Sequence, residues 1–115
     1  MAFMFEDLVV YKKAMELAKK IFIIRREIKD RIIVDQLSRA ALSIPLNIAE
    51  GNGRIHTREK KQYFYTARGS LLECIPILQL CGDIGFIDQE KYHELYNLAD
   101  EVGRLLNGLI RSIGK

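Results

Sequence analysis

Hydrophobic residues recur along this chain three and four positions apart, in four runs separated by polar or glycine-rich breaks. That spacing marks amphipathic helices, because each residue turns about 100° round a helix axis. The first run predicts a helix from about Glu6 to Ile28. In it Leu8, Tyr11, Met15, Ala18 and Phe22 form one stripe, and Ala14, Leu17, Ile21, Ile24 and Ile28 form its neighbour. Together they cover about half the circumference, wider than one packing seam needs. Lys12, Glu16, Lys19, Lys20 and Arg26 lie opposite, with Ile23 an apolar outlier among them. A face this wide predicts two neighbours, one of them in another subunit.

The second run, from near Ile32 to Gly51, carries the densest pattern. Ile33, Leu37, Ala40, Ala41, Ile44 and Ile48 make its apolar stripe. Gln36, Arg39, Ser43, Asn47 and Glu50 make an adjacent polar stripe with no lysine and no aspartate. A solvated shoulder usually mixes lysine with glutamate. Short polar groups beside Ala40 and Ala41 instead predict a close helix contact with hydrogen bonds across it, since buried polar groups need partners. Pro45 removes a backbone donor inside this helix and predicts a kink. Gly51-Asn52-Gly53 predicts a stop with left-handed backbone positions.

The third run starts at Thr57, read as an N-cap, and reaches about Cys81. Its core stripe is Tyr63, Ala67, Leu71, Cys74, Leu78 and Cys81. Gly69-Ser70 predicts a close approach by another helix, and Pro76 a bend. Gly82-Asp83-Ile84-Gly85 closes the run, and Asp88 is the next N-cap. The fourth run ends near Ser112, with Tyr92, Leu95, Tyr96, Ala99, Val102, Leu106, Leu109 and Ile113 facing inward. Four helices with short connections predict an all-α, antiparallel up-down-up-down bundle forming a single domain over residues 1–115. In the second hairpin, Arg39 is then expected within reach of Ser70 and Glu73, as an Arg39–Glu73 ion pair with Ser43 close by.

Composition changes this picture little. At 115 residues, 49% apolar and 29% charged, the chain is long enough for one core and is neither disordered nor fibrous. Its uncharged stretches fall far short of the ~20 residues that span a bilayer. No basic region followed by a cleavage site opens the chain, so no signal peptide is expected. Cys74 and Cys81 stand two helical turns apart, about 10 Å, too far for a disulfide. They read as small core residues in a reducing cytoplasm.

Charge adds more. The net charge of +3 hides basic stretches over Lys12–Arg31 and Arg54–Arg68 and an acidic stretch over Glu73–Glu101. The asymmetry fits either solubility with complementarity between subunits, or an anionic partner such as RNA or DNA. The candidate phosphate contacts are Lys12, Lys13, Lys19, Lys20, Arg25, Arg26, Arg54, Arg58, Lys60 and Lys61. The acidic fourth helix supports an alternative, a protein–protein adaptor that docks a basic partner. There is no phosphate-cradling glycine loop and no dinucleotide motif after a strand. His56 and His93 are isolated, and Glu90-Lys91-Tyr92-His93 occurs once where a two-metal bundle needs it twice. No enzyme, cofactor or metal site is expected.

These motifs together resemble a family of small bacterial proteins first noticed as open reading frames inside intervening sequences of 23S ribosomal RNA genes. The family start, F-x-x-L-x-V-x-x-x-A-x-x-L, is matched by Phe5, Leu8, Val10, Ala14 and Leu17. Its centre, Q-L-x-R-A-x-x-S-I-x-x-N-I-A-E-G-x-x-R, is matched by Gln36 to Arg54. A-x-G-S-x-x-E is matched by Ala67, Gly69, Ser70 and Glu73. Tyr11 stands where the family often has tryptophan. The resemblance implies a closed cyclic homopentamer of four-helix bundles with no enzymatic activity. Related accessory proteins of diversity-generating retroelements share that pentameric barrel and bind nucleic acid and a reverse transcriptase, which implies the same two partner classes here.

Overall fold

The computed structural model describes residues 3–114. Four long helices dominate it: α1 (Val9–Ile24), α2 (Arg31–Asn52), α3 (Thr57–Ile84) and α4 (Gln89–Ser112). Each packs on two others, α1 and α3 both lying against α2 and α4. Cross-helix contacts show that neighbours run antiparallel. Ser43 meets Ser70 and Gly51 meets Phe64 across α2 and α3. Lys13 meets Glu101 and Lys20 meets Glu94 across α1 and α4. The bundle is therefore all-α and up-down-up-down, as the short connections require.

The core is built from the stripes read in the sequence. Leu17, Ile21, Leu37, Ile44, Ile48, Phe64, Leu78, Leu95, Val102 and Leu106 are all fully enclosed. The most extensive helix contact is between α2 and α3. It is close because Gly51 has no side chain: a Cβ there would sit 2.7 Å from Cε1 of Phe64 and 3.0 Å from Cβ of Tyr63.

The first helix is shorter than its periodicity predicts. Met4–Asp7 form a separate 3-10 turn, held by the Phe3 N–H donating to Oε1 of Glu6 at 2.7 Å. Leu8 is extended, and the α-helix begins after it. At the other end Arg25–Glu27 tighten into a 3-10 turn, and extended Ile28 tucks its side chain into the core from outside the helix. The broad apolar face of α1 is largely spent inside the chain, with Tyr11, Met15 and Phe22 half-buried. Val9 and Ile23 lie outside that face and remain exposed.

Asp30 caps α2, its Oδ1 accepting from the Ile33 N–H at 3.0 Å. The C-terminus of α2 corrects another expectation. Gly51 and Asn52 are still helical, and Gly53 has φ −79°, so no left-handed residue is used there. Gly51 is required by the Phe64 ring and not by its backbone. The left-handed stop comes instead at Gly85, φ 93°, after α3 has continued three residues beyond Cys81. There the N–H groups of Gly85 and Phe86 both donate to the Cys81 carbonyl, satisfying acceptors that the helix end leaves open. His56, not Thr57, holds the N-cap position of α3 and makes no side-chain cap bond. Asp88 caps α4 as expected, accepting from the Lys91 N–H at 2.7 Å. Both α2 and α3 continue as single helices through Pro45 and Pro76.

Candidate nucleic-acid interface

Antiparallel packing sorts the ten candidate cations by end. The start of α1, the end of α2, the start of α3 and the end of α4 lie together. Lys12, Lys13, Arg54, Arg58, Lys60 and Lys61 therefore belong to one end of the bundle. Lys19, Lys20, Arg25 and Arg26 belong towards the other, beside the acidic start of α4. The candidate patch is thus two groups.

Several of these cations are already occupied. Lys13 reaches Glu16 at 3.9 Å and Glu101 at 3.5 Å. Lys20 pairs with Glu94 at 3.2 Å, and Lys91 reaches the same carboxylate at 3.1 Å. These partners hold the Glu94 carboxyl below its ordinary range, first through the Lys91 hydrogen bond and then through Lys20. The contact contributes stability at neutral pH that disappears as pH falls through that lowered value. Arg25 lies over the Phe22 ring, 4.3 Å from its centre. Lys60 turns back: its Nζ donates to the carbonyls of Asn52 at 3.0 Å and Gly51 at 3.4 Å. It caps the C-terminus of α2, where a cation also meets the negative end of the helix dipole. Placing Lys60 on a free basic surface is therefore corrected.

Arg54 is the hub of the turn between α2 and α3. Its Nη2 donates to Oε2 of Glu50 and to the Tyr63 hydroxyl, both at 2.8 Å, and its guanidinium lies 4.8 Å from the centre of the Tyr63 ring. Tyr63, with Glu50 behind it, holds the guanidinium above its ordinary value. Lys12, Arg58 and Lys61 at this end have no side-chain partner among the described residues. Two neighbours escape the sequence reading. Arg68 donates to Oδ1 of Asn107 at 3.0 Å and stacks 5.0 Å from the centre of the exposed Tyr65 ring. Arg111, in the last turn of α4, is exposed at the same end. The signal available is Lys61, Tyr65 and Arg68, which share one side of α3 at spacings of four and three.

The polar stripe of α2 divides in two. At its middle the Ser70 hydroxyl donates to Oγ of Ser43 at 2.8 Å. Nδ2 of Asn47 donates to the same Oγ at 2.9 Å and to the Ser43 carbonyl at 2.8 Å. This is the hydrogen-bonded helix contact that the short side chains predict. Gln36 and Arg39 above it are exposed, and so is Glu73 on α3. The Arg39–Glu73 ion pair does not form. The serine pair occupies the line of contact, and the two longer side chains are rotated off it. Gly69 likewise has open space around it, because Ser70 makes the contact with α2.

Burial raises the Cys74 thiol to about 12, with the nearby Glu73 charge adding to the shift, and raises Cys81 too. Both thiols are free and buried, which disfavours the reactive thiolate. Among the described residues, no group of three histidine, cysteine, aspartate or glutamate side chains gathers to hold a metal. None of the helices is long and apolar enough to cross a membrane.

The fold and this charged turn define a four-helix-bundle protein with a cationic end. The model of the 23S rRNA-intervening sequence protein family matches residues 6–108, and the chain belongs to that family. A crystal structure of a protein of unknown function from the S23 ribosomal protein family of Bacteroides thetaiotaomicron has the same fold. It is 24% identical, with a TM-score of 0.85 over 89% of this chain and 98% of that one. Comparison with curated proteins gives no match.

Proposed function

We propose that the chain is a non-enzymatic subunit of a homo-oligomer, a pentamer by family resemblance, that binds nucleic acid through the cationic end of its bundle. The observation that carries this reading is what remains after internal pairing. Glu94 and Glu101 of α4 answer Lys20 and Lys13, and Lys60 is anchored on α2. Lys12, Arg58, Lys61 and Arg111 are left without side-chain partners among the described residues. They collect where the first turn of α3 has no side-chain cap. Free backbone donors at a helix N-terminus favour anions. Repetition round an oligomer would turn a small cluster into a ring of positive potential, and phosphate contacts would add. An adaptor that docks a basic partner on α4 draws less support, because Glu94 and Glu101 are already answered from α1 and Asp100 by Arg104.

Charge reversal tests the reading. The double variant Arg58→Glu, Lys61→Glu should fold normally, since neither side chain packs in the core. It should bind labelled single-stranded RNA at least about tenfold more weakly at low salt, and the salt dependence should flatten by about one unit for each phosphate that is no longer neutralised. Every sequence should be affected about equally, because phosphate contacts carry no sequence information. Unchanged affinity in the double variant would remove this end of the bundle from the account.

A further inference from the structure

Among the described residues, three aromatic rings lie under an arginine: Phe22 under Arg25, Tyr63 under Arg54 and Tyr65 under Arg68. Phe22 and Tyr63 are half-buried, and the Tyr63 hydroxyl already accepts from Arg54. Tyr65 differs from both. It is 46% exposed, although the Arg68 guanidinium covers one face of its ring at 5.0 Å from the centre. That guanidinium is itself held, because its Nη1 donates to Oδ1 of Asn107 on α4 at 3.0 Å. A bond between two helices thus places the arginine, and the arginine places the ring. Lys61 stands one turn before Tyr65 on the same side of α3, with no side-chain partner among the described residues. Asp100, the carboxylate on the Asn107 side of α4, is answered by Arg104 at 2.7 Å. The outcome is an exposed aromatic surface between two cations, running on from the cationic end of the bundle.

From this arrangement we infer that Tyr65 stacks an unpaired nucleobase, so that the ligand of the cationic end is a single-stranded nucleic acid. The base lies on the part of the ring that Arg68 leaves open, in the order arginine, tyrosine, base. Such stacking tolerates any sequence, because every base has a π face. The cation–π contact with Arg68 steadies the ring before the ligand arrives, and a side chain already in place loses little freedom on binding. Residues four apart on a helix have their Cβ atoms about 6 Å apart, a span that one nucleotide covers. Lys61 is therefore placed to meet a phosphate next to the base on Tyr65. A duplex offers the same phosphates, but its bases are covered on both faces by their neighbours. Arg58 and Lys61 can neutralise the backbone of either form, whereas Tyr65 has a partner only in an unpaired strand. The ring supplies what charge alone does not, a preference for one form of nucleic acid over the other.

This inference rests on the nucleic-acid reading proposed above, and the test separates the two. The probes are a labelled single-stranded RNA and a long blunt RNA duplex, each titrated at low salt with wild type, Tyr65→Ala and Tyr65→Phe. Tyr65 is exposed, so circular dichroism should show both variants folded. Tyr65→Ala should bind the single strand roughly tenfold more weakly and the duplex as wild type does. Its salt dependence should keep the wild-type slope, because no phosphate contact is lost. Tyr65→Phe keeps the ring and should bind both probes as wild type does. A spectroscopic arm reads the stack itself. The chain has no tryptophan, so Tyr65→Trp introduces a single reporter. Its fluorescence should be quenched by the single strand and not by an abasic strand of the same length. Wild-type affinity of Tyr65→Ala for the single strand, an equal loss on the duplex, a Tyr65→Phe as weak as Tyr65→Ala, or equal quenching by the abasic strand would overturn the stacking and leave the cationic end standing. A wild-type protein that binds neither probe would remove both.

Discussion

Replacing Phe64 with alanine is expected to destabilise the bundle by about 3–5 kcal/mol. The ring is fully enclosed, and it lies against the bare backbone of Gly51, where a Cβ would meet its Cε1 and Cδ1 at 2.7 and 2.9 Å. Truncation removes the ring from the tightest part of the α2–α3 contact and leaves a cavity that helices held by the Ser43–Ser70 bond close only in part. A domain of this size has a total stability of about 5–15 kcal/mol, so the variant should melt far below wild type. Denaturant unfolding at fixed protein concentration measures it. A loss under about 1 kcal/mol would show that α2 and α3 do not meet through this ring.

The second large effect is expected at the facing position. Gly51→Val should cost about 2–3 kcal/mol, because overpacking a filled core forces side chains off their rotamers or helices apart. Helix propensity alone would favour the change, because glycine is the residue most disfavoured in a helix interior after proline, by about 1 kcal/mol relative to alanine. A destabilisation would therefore show packing outweighing propensity. Coupling makes the case specific. In the Phe64→Ala background the valine meets an empty space, so its cost should fall to near zero, giving an interaction of about 2–3 kcal/mol in the double-mutant cycle. Additive effects would mean that Gly51 is demanded by something other than the ring.

These two residues also show where sequence reading reaches its limit. The apolar stripes that define the four helices are legible, because burial repeats every turn and leaves its mark at many positions. The reason for Gly51 is not legible. A glycine before Asn52-Gly53 at a helix end reads as a left-handed stop, and only the Phe64 ring arriving from another helix reveals the close approach. Lys60 misleads for a similar reason: its charge reads as surface, while its target is a pair of backbone carbonyls, which sequence does not display. The serine contact is legible from the short side chains between apolar positions. The Arg39–Glu73 pair is not, since a rotation of part of a helical turn decides whether two long side chains meet or pass each other. At the first helix, the periodicity runs unbroken through Leu8 and Ile28, because extended residues that fold back onto a core keep the same hydrophobic pattern as helical ones.

The candidate interface is legible as a class of residue more than as a place. Basic stretches stand out in composition, but composition cannot tell Lys20, answered by Glu94, from Lys61, which has no side-chain partner among the described residues. Tertiary pairing reduces ten candidates to a few free cations and adds Arg111 from the far end of the chain.

The central claim is that this cationic end binds nucleic acid through phosphates. The most direct measurement is a titration of wild-type protein into labelled single-stranded RNA at salt concentrations from about 50 to 200 mM. The account predicts binding at the low end, with the logarithm of affinity falling linearly against the logarithm of salt, at a slope of several units and with little preference among sequences. No binding at low salt, or binding that salt leaves unchanged, would contradict it.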